Sequence, residues 1–401
     1  MSSCVVDLPE DIIVKILCRL PVKSLIRFTC VSKRWRSVII SDPKFGKSHF
    51  QLASQLRTIR RKVLLTSYPR LREPGWKKWA EVKLAPLFQS LEDKFSVKNF
   101  RFPSEEIEHL EEMGSCNGLV LVGRPCADYF KSLSIWNPST GFFRKIPYPN
   151  FGLKSGSFFL NYGFGHVSAS DDYQFVSVVP VPSNMLEVHI FSLSANIWKV
   201  ITAPFHSSRP CWVSRQGTFS NGAIHWVIPR RNENPDPVIY AFDLGEEELR
   251  RVPLPPVLWQ DEEDWNPTKI TTLVHLGGYL CIWSRKRYDT QGGEVWAMRE
   301  YGVPESWVKL FQFNAHNFRD VFDIERSPWD LCFITESDTM VLRLTKELLW
   351  IECRNEEKPV CSGSESLGHE DTRPEKLRSI VKRELLSAFK SCLVYVITVV
   401  S

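Results

Sequence analysis

Strand-like segments recur along most of this chain at a nearly constant interval, and that recurrence restricts the fold more than any other feature. Ile135-Trp136-Asn137-Pro138-Ser139-Thr140-Gly141-Phe142-Phe143-Arg144-Lys145-Ile146-Pro147 aligns with Ile190-Phe191-Ser192-Leu193-Ser194-Ala195-Asn196-Ile197-Trp198-Lys199-Val200-Ile201. Each reads as a strand, a polar turn and a strand opened by an aromatic. Ala241-Phe242-Asp243-Leu244-Gly245-Glu246-Glu247-Glu248-Leu249-Arg250-Arg251-Val252-Pro253 fits the same frame without gaps. Looser copies run from Val295-Trp296-Ala297-Met298 through Trp307 and around Leu349-Trp350-Ile351. With Trp136, Phe191, Phe242, Met298 and Trp350 as markers, the intervals are 55, 51, 56 and 52 residues. One further step back reaches Val82 in Ala80-Glu81-Val82-Lys83-Leu84, a sixth and weaker copy.

A second signal keeps the same beat. Asn117-Gly118-Leu119, Asn221-Gly222-Ala223 and Gly277-Gly278-Tyr279 each place a glycine turn just before an apolar strand, and Tyr162-Gly163-Phe164-Gly165 fills the missing place imperfectly. A period near 50 residues with four short strands per unit predicts a kelch-like β-propeller of six blades, since radial repetition is one solution to exposed sheet edges. The alternative is a β-sandwich in which strand-turn-strand units recur by chance. Within one run, Leu186, Val188 and Ile190 alternate with Glu187 and His189, which predicts that His189 faces outward and ligates nothing.

The first 50 residues have a different period. Ile12, Ile13, Ile16, Leu17 and Leu20 fall on one stripe of a helix. Pro9 suits the first helical turn, Glu10 and Asp11 sit at the positive end of the helix dipole, and Pro21 ends the helix. A second amphipathic segment carries Leu25, Phe28 and Val31, and a third begins near Ser32 with Trp35, Val38 and Ile39. Three short helices in about 40 residues cannot bury all these faces against one another. The surplus implies a partner; the alternative is a helical cap packed on the chain's own second domain.

The ordered string Leu8-Pro9, Arg19-Leu20-Pro21 and Cys30-Val31-Ser32-Lys33-Arg34-Trp35, followed by Ser41-Asp42-Pro43-Lys44-Phe45, resembles an F-box over roughly residues 6 to 50. The resemblance implies docking on a Skp-type adaptor and, through it, on a cullin, within an SCF ubiquitin ligase. The residues matching the family's contact pattern are Leu8, Pro9, Ile13, Leu17, Leu20, Leu25, Val31 and Trp35. Gly114-Ser115-Cys116-Asn117-Gly118-Leu119, Ile135-Trp136-Asn137-Pro138-Ser139-Thr140-Gly141, Tyr162-Gly163-Phe164-Gly165 with Asp171-Asp172-Tyr173, and Ser220-Asn221-Gly222-Ala223-Ile224-His225-Trp226 further resemble the F-box-associated domain of plant F-box proteins. That second resemblance covers about residues 62 to 360 and implies recruitment of a protein to be ubiquitylated and degraded.

The expected organisation is therefore α+β and multidomain: an F-box (1–50), a basic connector (51–61), an all-β, β-propeller-like domain (62–360), and a polar linker with an apolar C-terminal tail (361–401). Target-binding loops are expected near Trp212, Arg230, Trp259 and Trp265, which are aromatic or charged groups of the kind that anchor interfaces. The chain of 401 residues is 43% hydrophobic, enough for packed cores. Its net charge of +5 argues neither for nor against a nucleic-acid partner, but residues 55–83 hold nine Lys or Arg against Glu73 and Glu81. That run reads as a solvated connector; the alternative function is nucleic-acid or anionic-surface binding through it.

Eleven cysteines with no C-x-x-C pair argue against a zinc site, and an odd count without a signal peptide predicts a reducing compartment, cytoplasm or nucleus. The uncharged run Ser391–Ser401 is too short to cross a bilayer and is expected to form a buried terminal strand or a short amphipathic tail. Gly163-Phe164-Gly165 lacks the βαβ context of a dinucleotide turn, and no Gly-x-Ser-x-Gly elbow or phosphate-cradling loop is present. No catalytic, metal or cofactor-binding residue is assigned, and no cofactor or membrane partner is expected.

Overall fold

The computed structural model describes residues 8–56, 59–67, 81–86, 98–100, 111–125, 130–138, 140–149, 161–181, 185–205, 214–228, 238–255, 270–276, 278–285, 292–314, 329–334, 339–344, 347–352, 381–385 and 392–400. Helices α1 (Glu10–Leu17), α2 (Val22–Phe28) and α3 (Lys33–Arg36) come first; α3 runs into a π-helical turn (Ser37–Ser41), and a further helix, α4 (Pro43–Gln55), follows. Everything described beyond them is strand, turn or a single 3₁₀ turn.

The strands fall into four-stranded sheets. β1 (Ile59–Ser67), β2 (Glu81–Pro86) and β3 (Lys98–Phe100) belong to the first. β4 (Glu111–Cys116), β5 (Leu119–Pro125), β6 (Phe130–Trp136) and β7 (Phe143–Ile146) make the second. β8 (Asn161–Val167), β9 (Asp172–Val181), β10 (Met185–Ser192) and β11 (Ile197–Pro204) make the third; β12 (Thr218–Ser220), β13 (Ala223–Ile228), β14 (Val238–Asp243) and β15 (Glu248–Val252) the fourth. The fifth holds β16 (Ile270–Leu276), β17 (Tyr279–Arg285), β18 (Gly292–Met298) and β19 (Trp307–Asn314), and the sixth β20 (Trp329–Ile334), β21 (Thr339–Leu344), β22 (Glu347–Glu352) and β23 (Val381–Leu385). These five sheets run in chain order. In the first, the order is β24-β1-β2-β3, so β24 (Cys392–Val400) fills the place that the first strand takes elsewhere. The apolar C-terminal run is thus a sheet strand, paired with β1.

The sequence period maps onto this plan in phase. Trp136, Phe191, Phe242, Met298, Trp350 and Val82 each lie on the third strand of a sheet. The glycine turns mark the first hairpin: Asn117-Gly118 joins Cys116 to Leu119, and Asn221-Gly222 joins Ser220 to Ala223, all four residues with positive φ as a two-residue type I′ turn requires. Tyr162-Gly163-Phe164-Gly165 does not occupy that place in the third sheet. It lies inside β8, and the β8–β9 turn falls at Ser168–Asp171, where Asp171 supplies the positive φ. The two glycines serve packing instead: a Cβ on Gly163 would stand 2.3 Å from Ile224, and one on Gly165 2.4 Å from Phe219.

The chain divides into two compact units, Met1–Trp226 with Ala241–Arg250 and Leu393–Ser401, and Val227–Tyr240 with Arg251–Cys392. In the first unit, Met113, Leu121, Leu133, Ile135 and Ile146 of one sheet bury against Phe164, Phe175, Val179 and Phe191 of the next. Because sheets pack on both faces, alternation there does not separate inside from outside. His189 is accordingly buried (3% exposed), its Nε2 3.4 Å from Glu187 Oε2, which corrects the outward placement expected from the strand pattern. Burial lowers its pKa, and the neighbouring Glu187 offsets this in part.

A tryptophan on an outer strand recurs as a tie between successive sheets. Trp198 Nε1 donates to Pro147 O (2.8 Å) in the first unit, and Trp307 Nε1 to Pro253 O (3.0 Å) in the second. Each acceptor directly follows the last strand of the preceding sheet. Arg144 adds bonds to Leu193 O (3.2 Å) and Asn196 Oδ1 (2.8 Å).

Candidate functional site

The N-terminal helices are defined by their caps. Pro9 and Pro21 hold the N-cap places of α1 and α2, and their carbonyls accept from Ile12 and Ile13 N–H (both 3.1 Å) and from Ser24 and Leu25 N–H (2.9 and 3.1 Å). Ser32 Oγ accepts from Trp35 N–H (3.0 Å) to open α3. Leu17, Cys18, Leu25 and Phe45 form the core, with Ile13, Val14, Leu20, Phe28, Trp35, Val38, Ile39 and Leu52 packed around it. Phe28 and Trp35 meet edge to face at 5.6 Å. His49 Nε2 lies 2.8 Å from Leu20 O and joins α4 to the end of α1. Burial pushes the Cys18 thiol up, against a smaller opposing effect of Arg19.

The structure distributes the eight expected contact residues over three environments. Leu8 (53% exposed), Pro9 and Val31 (59%) face solvent; Ile13, Leu20 and Trp35 are half-buried; Leu17 (0%) and Leu25 (3%) lie inside the helices' own core. The sequence pattern merges two outward residues into the inward stripe: Ile12 (36%) and Ile16 (47%). Ile12 and Ile16 are four apart and share one row of α1, with Leu8 just ahead of the helix, whereas Ile13 and Leu17 form the neighbouring row turned to the core, where Leu20, just past the helix, also packs. The distinguishing signal is the width of the apolar arc: Ile12 and Ile13 are about 100° apart around the axis, too far for a single contact line. Beside the exposed row stand Lys15 and Arg19, three residues on from Ile12 and Ile16. Lys15 pairs with Asp11 at 3.8 Å with both groups about two-thirds exposed, and Arg19 Nη1 donates to Lys15 O (2.8 Å). Arg34 pairs with Glu10 at 3.1 Å.

In the same unit, Lys47 of α4 meets Asp171 of the β8–β9 turn at 3.9 Å. Asp171 also lies 3.0 Å from His166 Nε2, and the His166 ring packs on Tyr173 at 4.7 Å. Burial pushes the Tyr173 hydroxyl up to about 12. The expected target-binding residues Trp212, Arg230, Trp259 and Trp265 lie outside the described residues, as does much of the basic 55–83 run, of which β1 and the start of β2 are described. Among the described residues no group of three His, Cys, Asp or Glu is placed to hold a metal ion, and no helix is long and apolar enough to cross a membrane.

A capped helical module with apolar side chains left at its surface precedes repeated four-stranded sheets along the chain. Residues 6–46 match the F-box domain and residues 81–361 the F-box associated beta propeller domain. The chain belongs to the F-box proteins that carry an F-box associated beta propeller domain. It is 28% identical over 370 residues to F-box protein CPR1 of Arabidopsis thaliana, covering 86% of this chain and 82% of that one. It is 26% identical over 357 residues to the F-box/kelch-repeat protein At3g23880 of the same plant, covering 87% and 88%. Among solved structures it is similar to the beta-propeller domain of the Trilobed protease from Pyrococcus furiosus, at 12% identity and a TM-score of 0.35, covering 75% and 80% of the two chains.

Proposed function

We propose that this protein is the substrate-recognition subunit of an SCF-type ubiquitin ligase: its helices bind a Skp-type adaptor, and through it a cullin, while its β domain holds a target protein for ubiquitylation and degradation. The observation that carries this reading is that Ile12 and Ile16 of α1, with Leu8 just ahead of it and Val31 after α2, are left in solvent while Ile13, Leu17, Leu20 and Leu25 pack into the helices' own core. The chain itself transfers nothing in this scheme. Holding the target near the ubiquitin carried by other subunits turns transfer into an effectively intramolecular step. The reading includes the division into F-box (1–50), connector (51–61), kelch-like β domain (62–360) and C-terminal segment (361–401), with α4 crossing the first boundary, β1 crossing the second, and β23 and β24 of the C-terminal segment paired into the sheets. It also places the protein in the cytoplasm or nucleus.

The test is capture of a purified plant Skp-type adaptor, and of cullin with it, by the full chain. Ile12→Glu with Ile16→Glu places two charges on the exposed row and should abolish capture while leaving the thermal transition unchanged. Undiminished capture by that variant would remove the reading.

A further inference from the structure

The outer strands of the sheets differ in how their free edges are protected. β7 and β15 are four and five residues long, and each carries two adjacent bases, Arg144-Lys145 and Arg250-Arg251. Shortness and charge are usual means of keeping an edge from pairing with another chain. β11 has neither: it runs for eight residues with Lys199 as its one charge, and that lysine is drawn to Glu247 of the β14–β15 turn. Ile197 (61% exposed) and Val200 (40%) stand in solvent on it, and the exposed Tyr148 follows Pro147, the acceptor of the Trp198 indole. Among the described residues β11 pairs with β10 alone. Its other edge presents a row of backbone N–H and C=O groups, which an extended segment can pair.

We propose that this segment is β11 of a second copy: two chains join edge to edge about a two-fold axis, and their third sheets run into one eight-stranded sheet. Opposed residues of an antiparallel pair turn their backbone groups the same way, both toward the partner or both away. The axis must therefore face one residue with its own copy. The middle of β11 makes that residue Val200 or Ile201. With Val200 on the axis, Lys199 faces Ile201 and Trp198 faces Thr202; with Ile201 there, Lys199 faces Ala203 and Val200 faces Thr202. In either register each lysine meets a neutral residue and an apolar side chain meets its own copy at the axis. The same operation on β7 sets Arg144 or Lys145 against itself, and on β15 it sets Arg250 against itself; like charges directly opposite are destabilising. Of these three edges only β11 is its own complement, as a closed two-fold interface requires. The proposal uses no residue of the helices and does not depend on the adaptor reading.

The experiment is sedimentation velocity of the full chain across a concentration series. The parent should pass from monomer to dimer as concentration rises, and Val200→Lys, which opposes two charges at or beside the axis, should stay monomeric with an unchanged thermal transition. Cross-linking tests the register. In a Cys30→Ser background, Val200→Cys places the two thiols within about 8 Å for either axis, in reach of a short bismaleimide, whereas Ile197→Cys places them at least about 20 Å apart. Peptide mass mapping should find two copies joined at position 200 and not at position 197. A parent monomeric throughout the series, a dimer that Val200→Lys leaves intact, or equal cross-linking at both positions overturns the proposal. A chain that stays monomeric, and whose β11 amides are protected from hydrogen exchange only by a captured cell protein, also overturns it and gives the edge to that protein. Adaptor capture by Val200→Lys should equal the parent's, so failure of the dimer leaves the adaptor reading standing.

Discussion

Ile16 and Leu17 are adjacent in the chain, yet one side chain is 47% exposed and the other fully buried. Their substitutions should separate docking from folding. Leu17→Ala should destabilise the helical module by about 2–5 kcal/mol, the range for a deleted buried leucine, and lower its thermal transition. The Ile12, Ile16 pair should affect binding alone. His189 gives a pH test whose sign is fixed by burial. Its folded pKa lies below the unfolded value of about 6.5, so the unfolded state binds the extra proton first. Stability should hold above about pH 6.5 and fall as pH drops through that value, and His189→Asn should flatten the loss measured by thermal melts at about pH 7.5 and about pH 5.5. Thiol chemistry should follow exposure in the same manner. Cys30 is exposed, whereas burial pushes Cys116 and Cys281 up to about 12. Iodoacetamide should therefore alkylate Cys30 in the native chain and the other two only on unfolding, as read by peptide mass mapping.

At the scale of elements, hairpins were readable because their chemistry is local: Asn117-Gly118 and Asn221-Gly222 carry the positive φ values that a two-residue turn needs. Outer-strand aromatics were readable as markers, but not as ties, since the acceptors Pro147 and Pro253 lie 51 and 54 residues from Trp198 and Trp307. Gly163 and Gly165 read as a turn because glycine alone cannot say whether it supplies a positive φ or a bare surface; here the neighbouring sheet decides. Gly163→Val should consequently cost about 1–3 kcal/mol by overpacking against Ile224, measured by denaturant unfolding. Phe191→Ala and Phe242→Ala, at fully buried third-strand positions, should each cost about 3–5 kcal/mol by the same measurement.

For the whole molecule, the period near 50 residues was enough to specify repeated four-stranded sheets, because every unit must solve the same edge problem. The pairing that completes the first sheet was not legible: β24 reaches β1 across more than 300 residues, and no local pattern encodes so distant a partner. Removing residues 392–401 should leave the edge of β1 unpaired and drive the truncated chain to aggregate, visible by light scattering. The split between inward and outward rows on α1 was only partly legible, since both rows are apolar and only the core formed with Leu25 and Phe45 assigns them. The central claim is that this surface row connects bound proteins to a ligase. The direct measurement is the abundance, in plant cells, of proteins labelled by proximity to the full chain and to its Ile12→Glu, Ile16→Glu variant. Targets should remain bound to the variant and accumulate relative to the parent; equal abundance of the labelled proteins with both chains would contradict the account.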